Sequence, residues 1–216
     1  MIMTPNLFIA LEGIDGCGKS TQAKLLAAKL QEAGYRVHVT FEPTDSPIGK
    51  IIREIFNLRM EADHRTIAAL FAADRLHHLL NKEDGILKML EQGYTVISDR
   101  YYFSSYAYHG THMPMDWVIE TNAHSATLLR PDVNIYIDMP PEKSMERLNL
   151  GRESIELYET LDNLRNVRQK YLEAFENQKG KEIIFVTDGN RPVEQIAEDV
   201  WEEVTLLLNN RIKQAV

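Results

Sequence analysis

Short apolar runs alternate with longer amphipathic stretches along this chain. The runs are β-branched or continuously apolar, as strands covered on both faces require, and they lie at 7–11, 35–41, 94–98, 133–137 and 182–186. Between them, apolar residues at helical spacing predict helices, at 19–33, 48–58, 67–80, 85–91 and 193–208. This alternation predicts an α/β domain with a parallel sheet.

The chain reads as a single domain over residues 1–216. Its 216 residues are 44% apolar, enough for a substantial core. No repeat, low-complexity tract or linker interrupts it.

Charge and cysteine content narrow the possible partners and compartment. With 24 basic and 32 acidic side chains, the net charge is −8, so we expect no broad basic surface and no long nucleic acid as a partner. The single cysteine, Cys17, excludes an internal disulfide and favours a reducing compartment. No apolar run approaches the ~18 residues that span a bilayer, and residues 1–12 lack the basic start of a secretory signal. We therefore expect a soluble, cytoplasmic protein without a membrane partner.

The segment from Gly13 to Ser20 matches the phosphate-loop pattern G-x-x-x-x-G-K-[ST] and lies between the first strand and the first helix. Glycines let successive backbone N–H groups point at phosphate oxygens, and the helix start adds positive potential. Lys19 is suited to the β- and γ-phosphates, and the Ser20 hydroxyl to Mg²⁺. The loop predicts nucleoside triphosphate binding.

A phosphate loop alone does not separate a kinase from a GTPase or a motor. Asn81, Lys82 and Asp84 match N-K-x-D, the pattern with which GTPases read guanine. Here it directly follows the helix predicted at 67–80, so we interpret it as a helix boundary and disfavour a GTPase.

The third predicted strand ends in Asp99 and Arg100. Since the carboxyl ends of parallel strands face the ligand crevice, both side chains are expected beside the phosphate loop. Asp99 is suited to the Mg²⁺ shell, and Arg100 to the charge of a transferring phosphoryl group. The alternative is a structural ion pair.

At this point the sequence resembles the thymidylate kinase family. The resemblance runs in order over almost the whole chain, and it rests on residues 12–22, Glu42-Pro43, Leu70 to Arg75, Asp99-Arg100-Tyr101, Ser104 to Tyr108, Pro131-Asp132 and Arg165 to Leu172. The resemblance implies a P-loop NTPase-like three-layer sandwich with a five-stranded, mostly parallel sheet. It further implies transfer of phosphate from ATP to dTMP with Mg²⁺, and a homodimer.

The resemblance also assigns roles to individual residues. Phe71 would stack on thymine, Arg75 would donate to a base carbonyl, Ser105 would bond the base edge, and Tyr108 would pack where a ribose 2′-hydroxyl would sit. Asp15 would contact the 3′-hydroxyl or the metal shell, Arg53 the acceptor phosphate, and Arg100 both phosphates. The ATP-binding loop comprises Gly13, Ile14, Asp15, Gly16, Cys17, Gly18, Lys19, Ser20 and Thr21. Similar family loops also lead us to expect a cis Glu42–Pro43 peptide.

Family members with glycine at the position of Gly16 supply their last catalytic cation from a lid. The lid candidate here is 148–159, and Arg152 is its predicted catalytic residue. Two positions depart from the family: His109 stands where glutamine is frequent, and Phe41 where arginine is frequent.

Two other functions remain open from the sequence. A deoxynucleoside kinase shares the fold and needs a carboxylate base near the end of the second strand, where Glu42 lies. An inactive nucleotide-binding module would not need Lys19, Ser20, Asp99 and Arg100 together.

Overall fold

The computed structural model describes residues 6–151, Tyr158 and 160–214. Five strands form one sheet: β1 (Phe8–Glu12), β2 (Val37–Phe41), β3 (Thr95–Asp99), β4 (Val133–Asp138) and β5 (Ile184–Asp188). The described helices are α1 (Lys19–Glu32), α2 (Pro47–Phe56), α3 (His64–Leu80), α4 (Ile86–Glu91), α5 (Tyr102–His109), α6 (Met115–Thr121), α7 (Ala123–Leu128), α8 (Pro141–Gly151), α9 (Leu161–Asn177) and α10 (Val193–Gln214).

The sheet has the order β2-β3-β1-β4-β5, and every strand pair is parallel. Alternate residues of β1 pack into two separate hydrophobic cores, because successive side chains point to opposite faces of the sheet. Ile9 and Leu11 pack with α1 and α10, whereas Phe8 and Ala10 pack with α5 and α9. The predicted three-layer α/β sandwich is confirmed.

The five predicted strands are confirmed, with ends that differ by one or two residues. Helix α3 begins earlier than predicted, at His64, because the Asp63 carboxylate accepts from the Arg65 amide and caps it. Helix α10 continues beyond the predicted end, to Gln214.

The predicted set of helices lacked α5, α6, α7 and α8. All eight residues of α5 are buried, so the segment has no polar face to reveal a helical period. Helices α6 and α7 have seven and six residues, too few for a reliable period. Arg165 to Leu172, one of the segments on which the resemblance rests, lies within α9.

Several local predictions from the sequence can be compared with the structure. Asn81 is the C-cap of α3, which confirms the helix-boundary interpretation of the N-K-x-D match. The Glu42–Pro43 peptide is cis, as predicted. The lid candidate starts inside α8, at Leu148, but Arg152 lies outside the described residues. Within the described ranges, no helix is both long enough and apolar enough to cross a membrane.

Candidate active site

The phosphate loop connects the end of β1 to the start of α1, and two of its glycines are required by geometry. Gly13 has φ of 144°, and a Cβ there would lie 2.7 Å from Cys17 Sγ and 2.8 Å from the Ile137 carbonyl oxygen. Gly18 has φ of 103° at the N-cap of α1. Because Gly18 has no side chain to cap the helix, the positive end of α1 stays open to an anion.

Lys19 folds back over this loop. Its Nζ donates to the carbonyl oxygens of Gly13 (3.1 Å) and Ile14 (3.0 Å), and the side chain is buried. The ammonium group therefore lies inside the loop that the sequence predicts for phosphate.

The two predicted metal ligands are adjacent. The Ser20 hydroxyl donates to Asp99 Oδ2, and the pairing of Leu11 with Asp99 in neighbouring strands brings the carboxylate to the phosphate loop. A hydroxyl and a carboxylate are hard oxygen ligands of the kind that Mg²⁺ takes alongside substrate phosphates. The residues present fit Mg²⁺.

Arg100 reaches from β3 across the phosphate loop. Its Nη2 lies 2.5 Å from Asp15 Oδ1, and its Nη1 donates to Ser104 Oγ (2.9 Å) and to the Gly13 carbonyl oxygen (3.2 Å). Burial opposes its charge, but Tyr108 and Asp15 nearby raise its pKa well above the ordinary value. Arg100 is therefore a permanent cation at the loop.

Asp15 and Tyr108 form a hydrogen-bonded pair next to Arg100. The Tyr108 hydroxyl donates to Asp15 Oδ2 (2.7 Å) and accepts from the Asp15 amide (3.1 Å). Burial acts to raise the pKa of Asp15, but the Arg100 and Lys19 cations lower it below the ordinary value. Burial raises the pKa of Tyr108 well above its ordinary value. Asp15 is therefore a carboxylate and Tyr108 a neutral phenol near neutral pH.

A cavity of about 290 Å³ opens on one side of Arg100. Its walls hold the predicted substrate-binding residues: Asp15, Arg53, Phe71, Arg75, Arg100, Ser105 and Tyr108. The Phe71 ring lies 5.7 Å from the Phe56 ring and 5.2 Å from the His109 ring, measured between centroids. Arg53 donates to the Pro43 carbonyl oxygen (2.9 Å) and to Asp45 Oδ1 (3.0 Å).

Arg75 is fully buried in the wall of this cavity, and each of its three nitrogens donates to a protein acceptor. Nε donates to Glu42 Oε2 (2.8 Å), and Nη2 forms an ion pair with the same oxygen (2.6 Å) and donates to the Tyr101 carbonyl oxygen (3.2 Å). Nη1 bonds Ser105 Oγ (3.0 Å) and Asn122 Oδ1. Four of the five N–H groups of the guanidinium thus have a hydrogen-bond acceptor among the described residues. A base carbonyl that binds Arg75 would therefore replace or share one of these acceptors, or accept from the remaining N–H of Nη2.

A second cavity of about 430 Å³ lies over the phosphate loop. Lys19, Ser20, Thr21 and Asp99 are among its lining residues. Four residues line both cavities: Asp15, Phe41, Glu42 and Arg100. The geometry thus joins an anion-binding loop to an aromatic cavity across a shared wall that carries Arg100.

Sequence reasoning gave no role to two contributors to the site, Glu12 and Tyr158, and considered a third, Glu42, only as the base of a nucleoside kinase. Glu42 pairs with Arg75, the buried Glu12 accepts from the Ser104 hydroxyl (2.6 Å), and Tyr158 lines the aromatic cavity. Glu12 and Glu42 each follow an apolar run at a strand end, which is a usable signal. Tyr158 had none.

His109 is buried in the wall of the aromatic cavity, and its Nδ1 has no hydrogen-bond partner among the described residues. Burial, together with the Arg75 cation, lowers the pKa of His109 to about 3. The ring is therefore neutral near neutral pH.

Comparison with known proteins supports the resemblance to the thymidylate kinase family. The sequence model of the family described as thymidylate kinase matches residues 11–200. A probable thymidylate kinase of Thermococcus kodakarensis is 40% identical over 79% of this chain and 84% of its own length. One from Pyrococcus horikoshii is 42% identical, over 78% and 82%. One from Methanococcus maripaludis is 34% identical, over 92% and 95%.

Proposed function

The chain belongs to the thymidylate kinase family, and on that premise we propose how its two cavities divide the family's reaction. The protein is a nucleoside monophosphate kinase that phosphorylates dTMP to dTDP, with ATP as the phosphoryl donor, in the supply of dTTP for DNA synthesis. The aromatic cavity binds dTMP, and the cavity over the phosphate loop binds the triphosphate of ATP.

The observation that carries this division is the wall that the two cavities share. Arg100 is the one cation among the four residues that line both. A guanidinium in that wall can contact the acceptor phosphate and the transferred phosphoryl group together, which lowers their repulsion as they approach in line.

The aromatic cavity offers a matching partner for each part of dTMP. Phe71 provides a ring face for thymine, and Ser105 is the exchangeable acceptor at Arg75 Nη1, so a base carbonyl takes its place there. Tyr108, held by Asp15, packs against the sugar. Arg53 contacts the acceptor phosphate.

The phosphate loop, from Gly13 to Thr21, holds the ATP phosphates with its amides and with Lys19. Ser20 and Asp99 would hold Mg²⁺, which supplies charge neutralisation between phosphates when it is bound. Arg152 remains our proposal for the lid cation, and with it the lid at 148–159 of a single kinase domain.

No general base is required, because the acceptor phosphate is already an anion near neutral pH. The protein contributes to catalysis by placing the acceptor phosphate in line with the γ-phosphate of ATP and by offsetting their negative charge. Arg100 is fixed by Asp15 and Ser104 before substrate arrives, so this electrostatic stabilisation needs little reorganisation during transfer.

A deoxynucleoside kinase would need Glu42 as a free base. Both Glu42 oxygens are engaged, Oε2 with Arg75 and Oε1 with His78 Nδ1 (3.1 Å). These partners compete with a 5′-hydroxyl for the carboxylate, and this favours the monophosphate as acceptor.

The deciding experiment measures ADP release with ATP, Mg²⁺ and a panel of dTMP, dUMP, dCMP and thymidine. We expect dTMP to give the highest kcat/KM and thymidine no rate above background. A rate with thymidine that exceeds the rate with dTMP would overturn the assignment in favour of the nucleoside kinase. Omission of Mg²⁺ should abolish the rate, which tests the metal.

The homodimer and the cytoplasmic location are proposals that rest on the family resemblance. Light scattering should give twice the chain mass of 24.9 kDa at micromolar concentration. A mass equal to one chain would contradict the dimer.

A further inference from the structure

Glu12 is a buried carboxylate directly beneath the phosphate loop. It is fully inaccessible to solvent, its Oε1 accepts from the Tyr101 amide (2.9 Å), and its Oε2 accepts from Ser104 Oγ (2.6 Å) and the Tyr171 hydroxyl (3.0 Å). Burial raises the pKa of Glu12. A buried carboxylate is costly to keep unless each oxygen is bonded, as both are here.

The Tyr171 hydroxyl comes from α9, on the far side of this carboxylate. Besides Glu12, it contacts Ser104 Oγ (2.9 Å) and the Gly13 carbonyl oxygen (3.3 Å). Those two oxygens are the acceptors of Arg100 Nη1. Tyr171 therefore touches both atoms that orient one arm of the guanidinium, without touching Arg100 itself through a hydrogen bond.

The backbone of Arg100 also depends on this cluster. Its φ is +77°, a conformation that is costly for any residue except glycine and persists only where the surroundings enforce it. The Arg100 amide donates to the Leu11 carbonyl oxygen (2.9 Å), and the next amide, of Tyr101, donates to Glu12. Two consecutive residues of β1 thus hold the chain on either side of the strained position.

We propose that Glu12 and Tyr171 are positioning residues that hold Arg100, by way of Ser104 and the Gly13 carbonyl, in the orientation that serves phosphoryl transfer. This inference rests on the proposed role of Arg100 in the shared wall. Neither residue lines either cavity, so neither contacts substrate directly, and we expect their loss to lower the rate of transfer more than substrate binding.

Tyr171→Phe tests this with the smallest change, the loss of one hydroxyl. Tyr136→Phe is the matched control: its hydroxyl is buried with no partner among the described residues, and its ring packs 5.0 Å from the Tyr171 ring. We expect Tyr171→Phe to lower kcat about tenfold, or about 1.4 kcal/mol, with KM for dTMP and ATP within twofold of the wild type. Tyr136→Phe should keep the wild-type kcat. Equal kcat for the two variants would overturn the proposal.

Glu12→Gln, which replaces one carboxylate oxygen by an amide group, should lower kcat further with the same pattern. If this variant fails to fold, Tyr171→Phe alone decides. Thermal unfolding of each variant accompanies the kinetics, because a purely structural role would lower Tm without a selective loss of kcat.

A double mutant establishes whether the effect passes through Arg100. In the Arg100→Ala background, Tyr171→Phe should change the residual rate, measured with radiolabelled ATP, by less than twofold. A second full loss would show that Tyr171 acts independently of Arg100, against the proposal, as would Arg100→Ala with wild-type kcat. A wild-type protein that does not phosphorylate dTMP would instead reject the function, so the two failures are distinct.

Discussion

Arg100 and Asp15 form an ion pair in the wall between the two cavities, with Nη2 2.5 Å from Oδ1. Tyr108 bonds both partners, to Asp15 at 2.7 Å and to Arg100 at 3.2 Å. The proposed catalytic cation and the residue proposed to select the sugar are therefore coupled through one carboxylate. Loss of any one of these three contacts should therefore lower the rate of transfer.

Removing either of two cations should abolish most of the activity. Lys19→Ala and Arg100→Ala each remove a charge where negative charge accumulates during transfer, an effect of about 3 kcal/mol, or roughly a hundredfold in kcat. Lys29→Ala and Arg65→Ala are the matched controls, because both side chains are in ion pairs remote from the loop. Near-normal kcat with native circular dichroism in Lys19→Ala or Arg100→Ala would reject that residue's role.

The loop that we propose for phosphate binding could be predicted from sequence because its parts lie within one strand–loop–helix unit. Gly13 to Ser20 carry it locally, and strand order then places Asp99 and Arg100 beside it. The contacts that could not be predicted join distant segments. The Glu42–Arg75 pair spans 33 positions and the Glu12–Tyr171 bond spans 159.

Helix α5 shows why a buried segment at the site escaped the hydrophobic pattern. Tyr102 to His109 are all buried, yet they include serines and a histidine, which pattern analysis takes as exposed. Their polar groups face other protein groups instead of water: Ser105 accepts from Arg75, and Ser104 accepts from Arg100. Such inward-facing polar residues are typical of functional sites.

Loss of the Glu42 carboxylate should destabilise the fold. Glu42 and Arg75 are each 1% exposed, so Glu42→Ala leaves a buried guanidinium without its counter-ion. We expect the free energy of unfolding to fall by about 3–5 kcal/mol, as measured by urea denaturation. Glu54→Ala, at a carboxylate in an exposed ion pair, should change it by less than about 1 kcal/mol. Equal losses for the two variants would contradict a buried ion pair at Arg75.

His109 should make the fold sensitive to acid. Its pKa of about 3 in the fold lies below the 6.5 of an unperturbed histidine, so the unfolded chain binds the proton first as the pH falls. The free energy of unfolding therefore has its full value above about pH 6.5 and falls as the pH decreases towards 3. At pH 5 it is lower by about 2 kcal/mol. In His109→Leu, the fall in the free energy of unfolding between pH 7 and pH 5, measured by urea denaturation, should be smaller by this amount.

The exposed His124 provides the control for this pH dependence. His124→Gln should retain the wild-type loss of stability between pH 7 and pH 5. The measured quantity is the change in the free energy of unfolding between pH 7 and pH 5. A change in packing caused by the leucine would shift the stability equally at both pH values and would cancel in this difference. An unchanged pH dependence in His109→Leu would show that the imidazole is not held neutral in the fold.

The last prediction concerns the sugar. Tyr108 should make dTMP strongly preferred over its ribose counterpart, and kcat/KM for the two substrates measures the preference. If the ring excludes the 2′-hydroxyl by bulk, Tyr108→Phe keeps the ratio and Tyr108→Ala loses it, by a few kcal/mol, since an unpaired hydroxyl in a packed site is costly. The structure adds that Tyr108→Phe frees Asp15 Oδ2 and so lowers kcat for both sugars alike. An unchanged ratio in Tyr108→Ala would show that the ring serves packing alone.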